Sequence, residues 1–107
     1  MFKVIVFIPK ENVEKVKDAM FAAGGGRLGE YDCCSWQVLG EGQFRPLEKS
    51  NPAIGSKHHI EKVSEYKVEM LCEATYMTKV IAAMKSEHPY EEPAYEIVAL
   101  VDEGQFK

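Results

Sequence analysis

Apolar residues fall along the chain in two alternating kinds of pattern, which together mark out six elements. Four segments are rich in β-branched and aromatic residues or alternate between apolar and polar positions. They predict strands over residues 2–8, 27–39, 65–72 and 94–101. Two intervening segments repeat apolar residues at three- and four-residue steps, which predicts amphipathic helices from Val13 to Ala23 and from Met77 to Met84. Three glycines after Ala23 end the first helix, and Pro89 ends the second.

The connection between the second and third strands is the longest irregular segment. "GEGQ" at Gly40 to Gln43 predicts a turn, and the stretch from Phe44 to His59 contains two prolines, a glycine, serines and an asparagine. We therefore expect one domain over residues 1–107, with a long loop at about 40–62. Loops of this length are uncommon in compact domains and are often functional.

The chain resembles itself after a shift of 64 residues. "FKVIVFIPKENVEKVKDAM" then falls on "YKVEMLCEATYMTKVIAAM", and both the strand pattern and the helix pattern stay in phase. Two β-α-β halves follow, which predicts an α+β fold of the ferredoxin-like βαββαβ sandwich type. Right-handed crossovers place both helices on one face of the sheet, so the other face is either polar or covered by something else.

Composition and charge exclude several classes of partner. The formal net charge is -4, and no basic stripe is present, so nucleic acid is not an expected partner. The longest apolar run, Val4 to Ile8, is far too short to span a bilayer, so no membrane partner is expected. Three cysteines, two of them adjacent, form neither a disulfide framework nor a zinc motif. We expect a soluble, cytoplasmic protein with no cofactor.

Other short motifs have simpler structural explanations. The glycines of "GGGRLG" spell G-x-G-x-x-G, but a helix precedes them and a strand follows, the reverse of a dinucleotide site. His58 and His59 lie next to each other in a polar loop without an i, i+4 partner. Cys33 and Cys34 have no base placed beside them, so they are expected to be small strand residues rather than nucleophiles.

The segment "HPYEEPAYE", His88 to Glu96, combines stiff and polar residues between the second helix and the last strand. We interpret it mainly as an architectural segment and only secondarily as a site. If a small ligand binds, the candidate residues are Arg45, His88, Tyr90 and Glu91, with the Arg45 fork able to hold a carboxylate or phosphate. The last strand is apolar on both faces, which predicts packing between subunits through Tyr90, Tyr95 and Ile97.

Three joined motifs carry a resemblance to a known family. "GGGRLGEYDCCSW" contains G-x-Y-x-x-C-S, "GEGQFRPLEKSNPAIG" contains a Gly- and Pro-spaced loop, and "HPYEEPAYEIVAL" follows near the C-terminus. Together they resemble the CutA/PII-like (YqfO-type) domain found inserted in Nif-three-like proteins, here standing alone. The match runs from about residue 2 to residue 100.

The resemblance implies a CutA/PII-like trimer with a binding or regulatory role and no enzymatic activity. Nif-three-like proteins carry a two-metal site of histidines and acidic residues in flanking domains, whereas this chain has three histidines, none of them in the metal-binding motifs of those domains. We therefore expect no protein-bound metal and no metal-dependent hydrolysis of nucleotides. Two alternatives stay open: a divalent-metal-binding protein that uses His88 with nearby carboxylates or a cysteine, and an enzyme with an active site between subunits.

Overall fold

The protein is a four-stranded antiparallel sheet with two helices on one face. The computed structural model describes all 107 residues. The strands and helices are, in chain order, β1 Phe2–Pro9, α1 Val13–Ala22, β2 Trp36–Phe44, β3 Glu61–Cys72, α2 Met77–Glu87 and β4 Tyr95–Ala99. Short 3-10 turns precede both helices, at Lys10–Asn12 and Ala74–Tyr76, and a third lies at Glu103–Phe106.

The strand order β2-β3-β1-β4 makes β1 and β3 the two central strands. Each β-α-β half thus contributes one central strand and one edge strand, which confirms the predicted ferredoxin-like βαββαβ fold. Residues related by the 64-residue shift occupy matching places in the core. The identical pairs Val4/Val68, Val16/Val80 and Met20/Met84 are all buried in one cluster between the sheet and the helices.

The opposite face of the sheet is open in the single chain. Residues directly across from each other in an antiparallel pair share a face, so Trp36 lies beside Glu69, and Val98 beside Lys3. This open face mixes apolar side chains with the Lys3–Glu69 ion pair, which has a 3.2 Å separation. Trp36 is 58% exposed there. An exposed tryptophan on a sheet face leaves apolar surface uncovered in the single chain.

The bounds of β2 and β3 differ from those predicted. β2 begins at Trp36 rather than near Arg27, and the predicted turn at Gly40 to Gln43 is wrong because these residues lie inside β2. Glycine suits position 42 of this strand, because a Cβ there would overlap the side chain of Glu65 on β3. β3 begins at Glu61, four residues earlier than predicted. Its first residues pair with the end of β2, and this pairing does not require apolar and polar residues to alternate.

No helix of the protein is both long enough and apolar enough to cross a membrane.

Candidate functional site

His88 fastens the segment after α2 to the central strand β1. Its side chain is buried, with 6% of its surface exposed. Nε2 donates a hydrogen bond to the backbone oxygen of Phe7 at 2.8 Å, and Nδ1 accepts one from the backbone N–H of Tyr90 at 3.2 Å. Both ring nitrogens are used, and this pattern requires the neutral Nε2–H tautomer.

Burial lowers the pKa of His88 below its ordinary value of 6.5, although the hydrogen bond to Phe7 and the Glu65 carboxylate act in the opposite direction. The neutral imidazole is therefore the form that suits the folded protein. A ring whose two nitrogens are both occupied has no lone pair left for a metal ion or a ligand. His88 positions the residues that follow it.

Tyr90 extends from this anchor across the sheet to β3. Its ring packs at 5.1 Å from the His88 ring and at 5.5 Å from the Phe44 ring, the latter in an edge arrangement. The Tyr90 hydroxyl donates a hydrogen bond of 3.1 Å to Oε2 of Glu65. Burial, followed by the nearby Glu65 carboxylate, raises the pKa of Tyr90 above its ordinary value, so the hydroxyl keeps its proton.

Glu91 joins the same segment to the long loop between β2 and β3. Its Oε1 accepts a hydrogen bond of 2.9 Å from the backbone N–H of Asn51, in the middle of that loop. The loop is also held internally, because the Ser50 hydroxyl donates to the backbone oxygen of Leu47 at 2.7 Å. The loop and the segment after α2 thus meet over the end of the sheet.

A pocket of about 240 Å³ lies where the loop and this segment meet. The loop supplies apolar walls through Pro46, Pro52 and Ile54, while Phe44 and Tyr90 supply aromatic ones. The polar part of the lining consists of Gln43, Ser50 and three carboxylates, Glu65, Glu91 and Glu92. An apolar pocket with a few converging polar groups is the usual form of a small-molecule site.

The structure divides the residues that the sequence singled out. Tyr90 and Glu91 line the pocket, and His88 lies behind Tyr90. Arg45 is exposed, makes no hydrogen bond or ion pair, and is not part of the lining, although both its neighbours Phe44 and Pro46 are.

The candidate interface residues also lie in different surroundings. Ile97 is 43% exposed on the edge strand β4. Tyr95 packs against the core, and the ammonium group of Lys85 lies 5.3 Å from its ring centre. Tyr90 is engaged in the pocket wall, as described above.

Among the pocket residues that the sequence does not single out, Phe44 and Glu65 contact Tyr90 directly. Glu65 lies opposite Gly40 on the open face, and Gly42 is the next residue of β2 on that face. A glycine inside a strand signals that another group approaches closely, and that signal was interpreted as a turn. Phe44 carried no local signal because its partner Tyr90 is distant in the chain.

The remaining candidate groups do not form a site. Cys72 is buried, and burial, with a smaller contribution from Glu73, raises the pKa of its thiol, which makes the thiol unreactive. His58 pairs with Glu48 at 2.8 Å on the surface of the loop. No three or more His, Cys, Asp or Glu side chains come together in a group that could hold a metal ion.

The architecture is that of a CutA/PII-like fold. The CutA protein of Archaeoglobus fulgidus, described as a periplasmic divalent cation tolerance protein, has the same fold with a TM-score of 0.65. The superposition covers 95% of this chain and 86% of CutA, but only 14% of the residues are identical, so this likeness concerns the fold alone.

Closer relatives are longer proteins. This chain is 48% identical over 99 residues to a protein of Mycobacterium bovis named GTP cyclohydrolase 1 type 2 homolog, a match to 92% of this chain and 26% of that protein. A Bacillus cereus protein related to NIF3 superposes with a TM-score of 0.81 at 37% identity, covering 94% of this chain and 26% of that one. No family model matches the chain.

These comparisons confirm the resemblance predicted from the sequence. The chain is similar to one part of the NIF3-related proteins, and it spans about a quarter of the length of the relatives it matches.

The lowered pKa of His88 predicts that acid destabilises the fold. The unfolded chain binds the proton more tightly than the folded one, so stability should be full above the ordinary pKa of 6.5 and fall as the pH drops below it. The free energy of unfolding should decrease between about pH 7.5 and about pH 5.5, by at most about 1.4 kcal/mol per pH unit for one proton. Urea unfolding at a series of pH values measures this slope.

The matched variants are His88→Gln and His59→Gln. His88→Gln removes the titrating group and should flatten the slope, whereas His59 is exposed and its replacement should leave the slope unchanged. An unchanged slope in the His88→Gln protein would show that another group is responsible.

Gly42 and Gly40 offer a test of the contact between Glu65 and Tyr90. Replacing either glycine with alanine raises the intrinsic β-strand preference by the same amount. The added Cβ would overlap Glu65 at position 42, whereas nothing lies within 4 Å of it at position 40. The flexible Glu65 side chain would move and lose the Tyr90 hydroxyl. Gly42→Ala should therefore be less stable than Gly40→Ala by about 1 kcal/mol in urea unfolding, the usual contribution of one hydrogen bond. Equal stabilities would contradict this role for Gly42.

Proposed function

We propose that this chain is a non-enzymatic binding or regulatory protein of the CutA/PII-like type, which holds a small organic molecule between the long loop and the segment after α2. The observation that carries the proposal is the pocket itself. It exists in a single chain, its walls are joined by the Asn51–Glu91 hydrogen bond, and its aromatic side is held by the His88 anchor. A site that is already formed loses little conformational entropy on binding.

Each candidate residue has a separate role in this proposal. Tyr90 presents its ring as a wall, and Glu91 both closes the loop and offers its second carboxylate oxygen to a ligand. His88 acts through Tyr90 and does not contact the ligand. Arg45 lies outside the lining, so the proposal does not use it as an anion fork.

The chemistry of the lining supports binding rather than catalysis. It contains no histidine, cysteine or lysine, and the Ser50 hydroxyl is committed to a backbone oxygen. A nucleophile beside a base is therefore missing from this pocket. The name GTP cyclohydrolase 1 type 2 homolog describes proteins of which this chain matches about a quarter. GTP turnover by the pure protein, stimulated by a divalent ion and lost on chelation, would contradict this part of the proposal.

The pocket can be tested with a neutral aromatic probe, phenethyl alcohol, which matches its apolar walls. Titration followed by amide chemical shifts should show changes centred on Tyr90, Glu91 and Asn51. Phe44→Ala should reduce the affinity roughly tenfold or more, since it removes an aromatic wall of the pocket. Leu47→Ala is the matched control, because Leu47 is exposed in the same loop and does not line the pocket.

Shift changes spread over the surface, or an equal loss of binding in both variants, would remove the support for this pocket as a ligand site.

We also propose that the chain assembles into a homo-oligomer, with three subunits as the resemblance implies. Two features support assembly. The open face exposes Trp36, Val38 and Val98, and both edge strands, β2 and β4, have one unpaired side. Proteins rarely leave such edges and apolar faces uncovered. Ile97, on β4, is the member of the candidate interface set that is most free to contact a partner.

Three free cysteines fit a cytoplasmic location.

Val98→Glu tests the assembly proposal. Val98 lies directly across from Lys3, so a carboxylate there finds a partner in the monomer, but covering it in an interface would desolvate its charge. Light scattering at micromolar concentration should show an oligomer for the unsubstituted protein and a shift toward monomer for Val98→Glu. Val101→Glu, which is exposed beyond the end of β4, should keep the oligomer. A monomeric unsubstituted protein would overturn the proposal.

A further inference from the structure

From the charges in this lining we infer that the ligand is a cation: an organic ammonium group on a flat, apolar body. The inference rests on the proposed function, because it names the chemical class that the proposed pocket would accept. It also reverses the expectation that Arg45 would hold a carboxylate or a phosphate.

The pocket carries negative charge without a compensating positive group. Glu65, Glu91 and Glu92 belong to its lining, and no lysine, arginine or histidine does. None of the three carboxylates takes part in an ion pair within the chain. Their internal partners are neutral donors, the Tyr90 hydroxyl for Glu65 and the Asn51 amide for Glu91. Each of these two carboxylates keeps one oxygen without a hydrogen bond in the chain.

The apolar walls strengthen the preference of this negative charge for a cationic over an anionic ligand. Phe44, Pro46, Pro52, Ile54 and Tyr90 form apolar walls beside the half-buried Glu65, whereas Glu91 and Glu92 are exposed at the rim. Charges act more strongly across such surroundings than in bulk water. An anionic ligand would be repelled, whereas an ammonium group gains charge-assisted hydrogen bonds. The faces of the Phe44 and Tyr90 rings also attract a cation.

The same lining favours an organic cation over a metal ion. A hard divalent ion needs several oxygen ligands around one point, and the carboxylates of the pocket do not form such a group. Most of the walls are aromatic or aliphatic, and these have no role in coordinating a metal but do pack against a ring or a chain. The pocket of about 240 Å³ has room for one small ring with a short side chain.

Three probes of nearly the same shape test the inference: phenethylamine, phenethyl alcohol and phenylacetate, which are cationic, neutral and anionic at neutral pH. Each is titrated into the full chain and followed by amide chemical shifts at Tyr90, Glu91 and Asn51. The amine should bind roughly tenfold more tightly than the alcohol, and phenylacetate should bind most weakly. Added salt should weaken the binding of the amine and leave that of the alcohol unchanged.

The variant for this test is Glu91→Gln with Glu92→Gln. Glutamine keeps a side-chain oxygen that can accept the Asn51 hydrogen bond, so the loop should stay closed while two charges are lost. This protein should lose most of its preference for the amine, since Glu65 is then the one carboxylate left in the lining. Glu30→Gln with Glu103→Gln is the matched control, because it removes the same charge at exposed positions outside the lining and should keep the preference for the amine.

The outcomes separate this inference from the function on which it rests. Equal binding of all three probes at the pocket residues would leave the proposed site standing and overturn the cationic class. Tighter binding of phenylacetate would also overturn it and would point to Arg45. An amine preference that survives undiminished in the Glu91→Gln/Glu92→Gln protein would overturn the role of these two carboxylates. If no probe perturbs the pocket, the proposed function fails together with the inference.

Discussion

The hydrogen bond from His88 Nε2–H to the backbone oxygen of Phe7 is the contact on which the candidate site depends. It places the end of α2 against a central strand and uses the other ring nitrogen to hold the Tyr90 amide. Tyr90 then reaches Glu65 on β3, and Glu91 reaches Asn51 in the long loop. One buried side chain therefore positions two elements that are far apart in the sequence, because each later contact starts from a backbone that His88 has already fixed.

A neutral imidazole is well suited to this position. Lysine or arginine would bring a full charge into a buried place, and a hydroxyl side chain is too short to reach both groups. Histidine offers one donor and one acceptor on opposite sides of a rigid ring, and burial keeps it neutral. The contact between His88 and β1 is therefore sensitive to acid. The carboxylate–ammonium ion pairs of the protein, in contrast, lie near the surface.

The sequence predicted the parts of the protein that repeat and missed those that depend on distant contacts. The 64-residue repeat identified the two halves, and its identical pairs Val4/Val68 and Met20/Met84 are core residues, since burial against the same kind of neighbours preserves the same side chains. The course of β2 was not predicted, because Gly42 is required by the close approach of the Glu65 side chain rather than by a local turn. The segment at His88 was recognised, but Phe44 and Arg45 could not be told apart. Which of two adjacent residues faces a pocket depends on strand register, which local pattern does not determine.

The candidate site lies where the two halves stop being alike. The repeat relates Phe7 to Leu71 and His88 to Gly24, and the backbone oxygens of Phe7 and Leu71 are each bound by the segment that follows a helix. Leu71 receives its hydrogen bond from the backbone N–H of Gly26, at 2.8 Å, within a turn whose positive φ angles favour glycine. In the second half, the residue that matches Gly26 is Tyr90, and its N–H donates to Nδ1 of His88 rather than to the strand. There a side chain satisfies the carbonyl instead, which leaves the backbone extended and free to carry Tyr90 and Glu91 toward the loop. The same structural need is thus met by backbone in one half and by a side chain in the other, and the second solution creates the wall of a pocket.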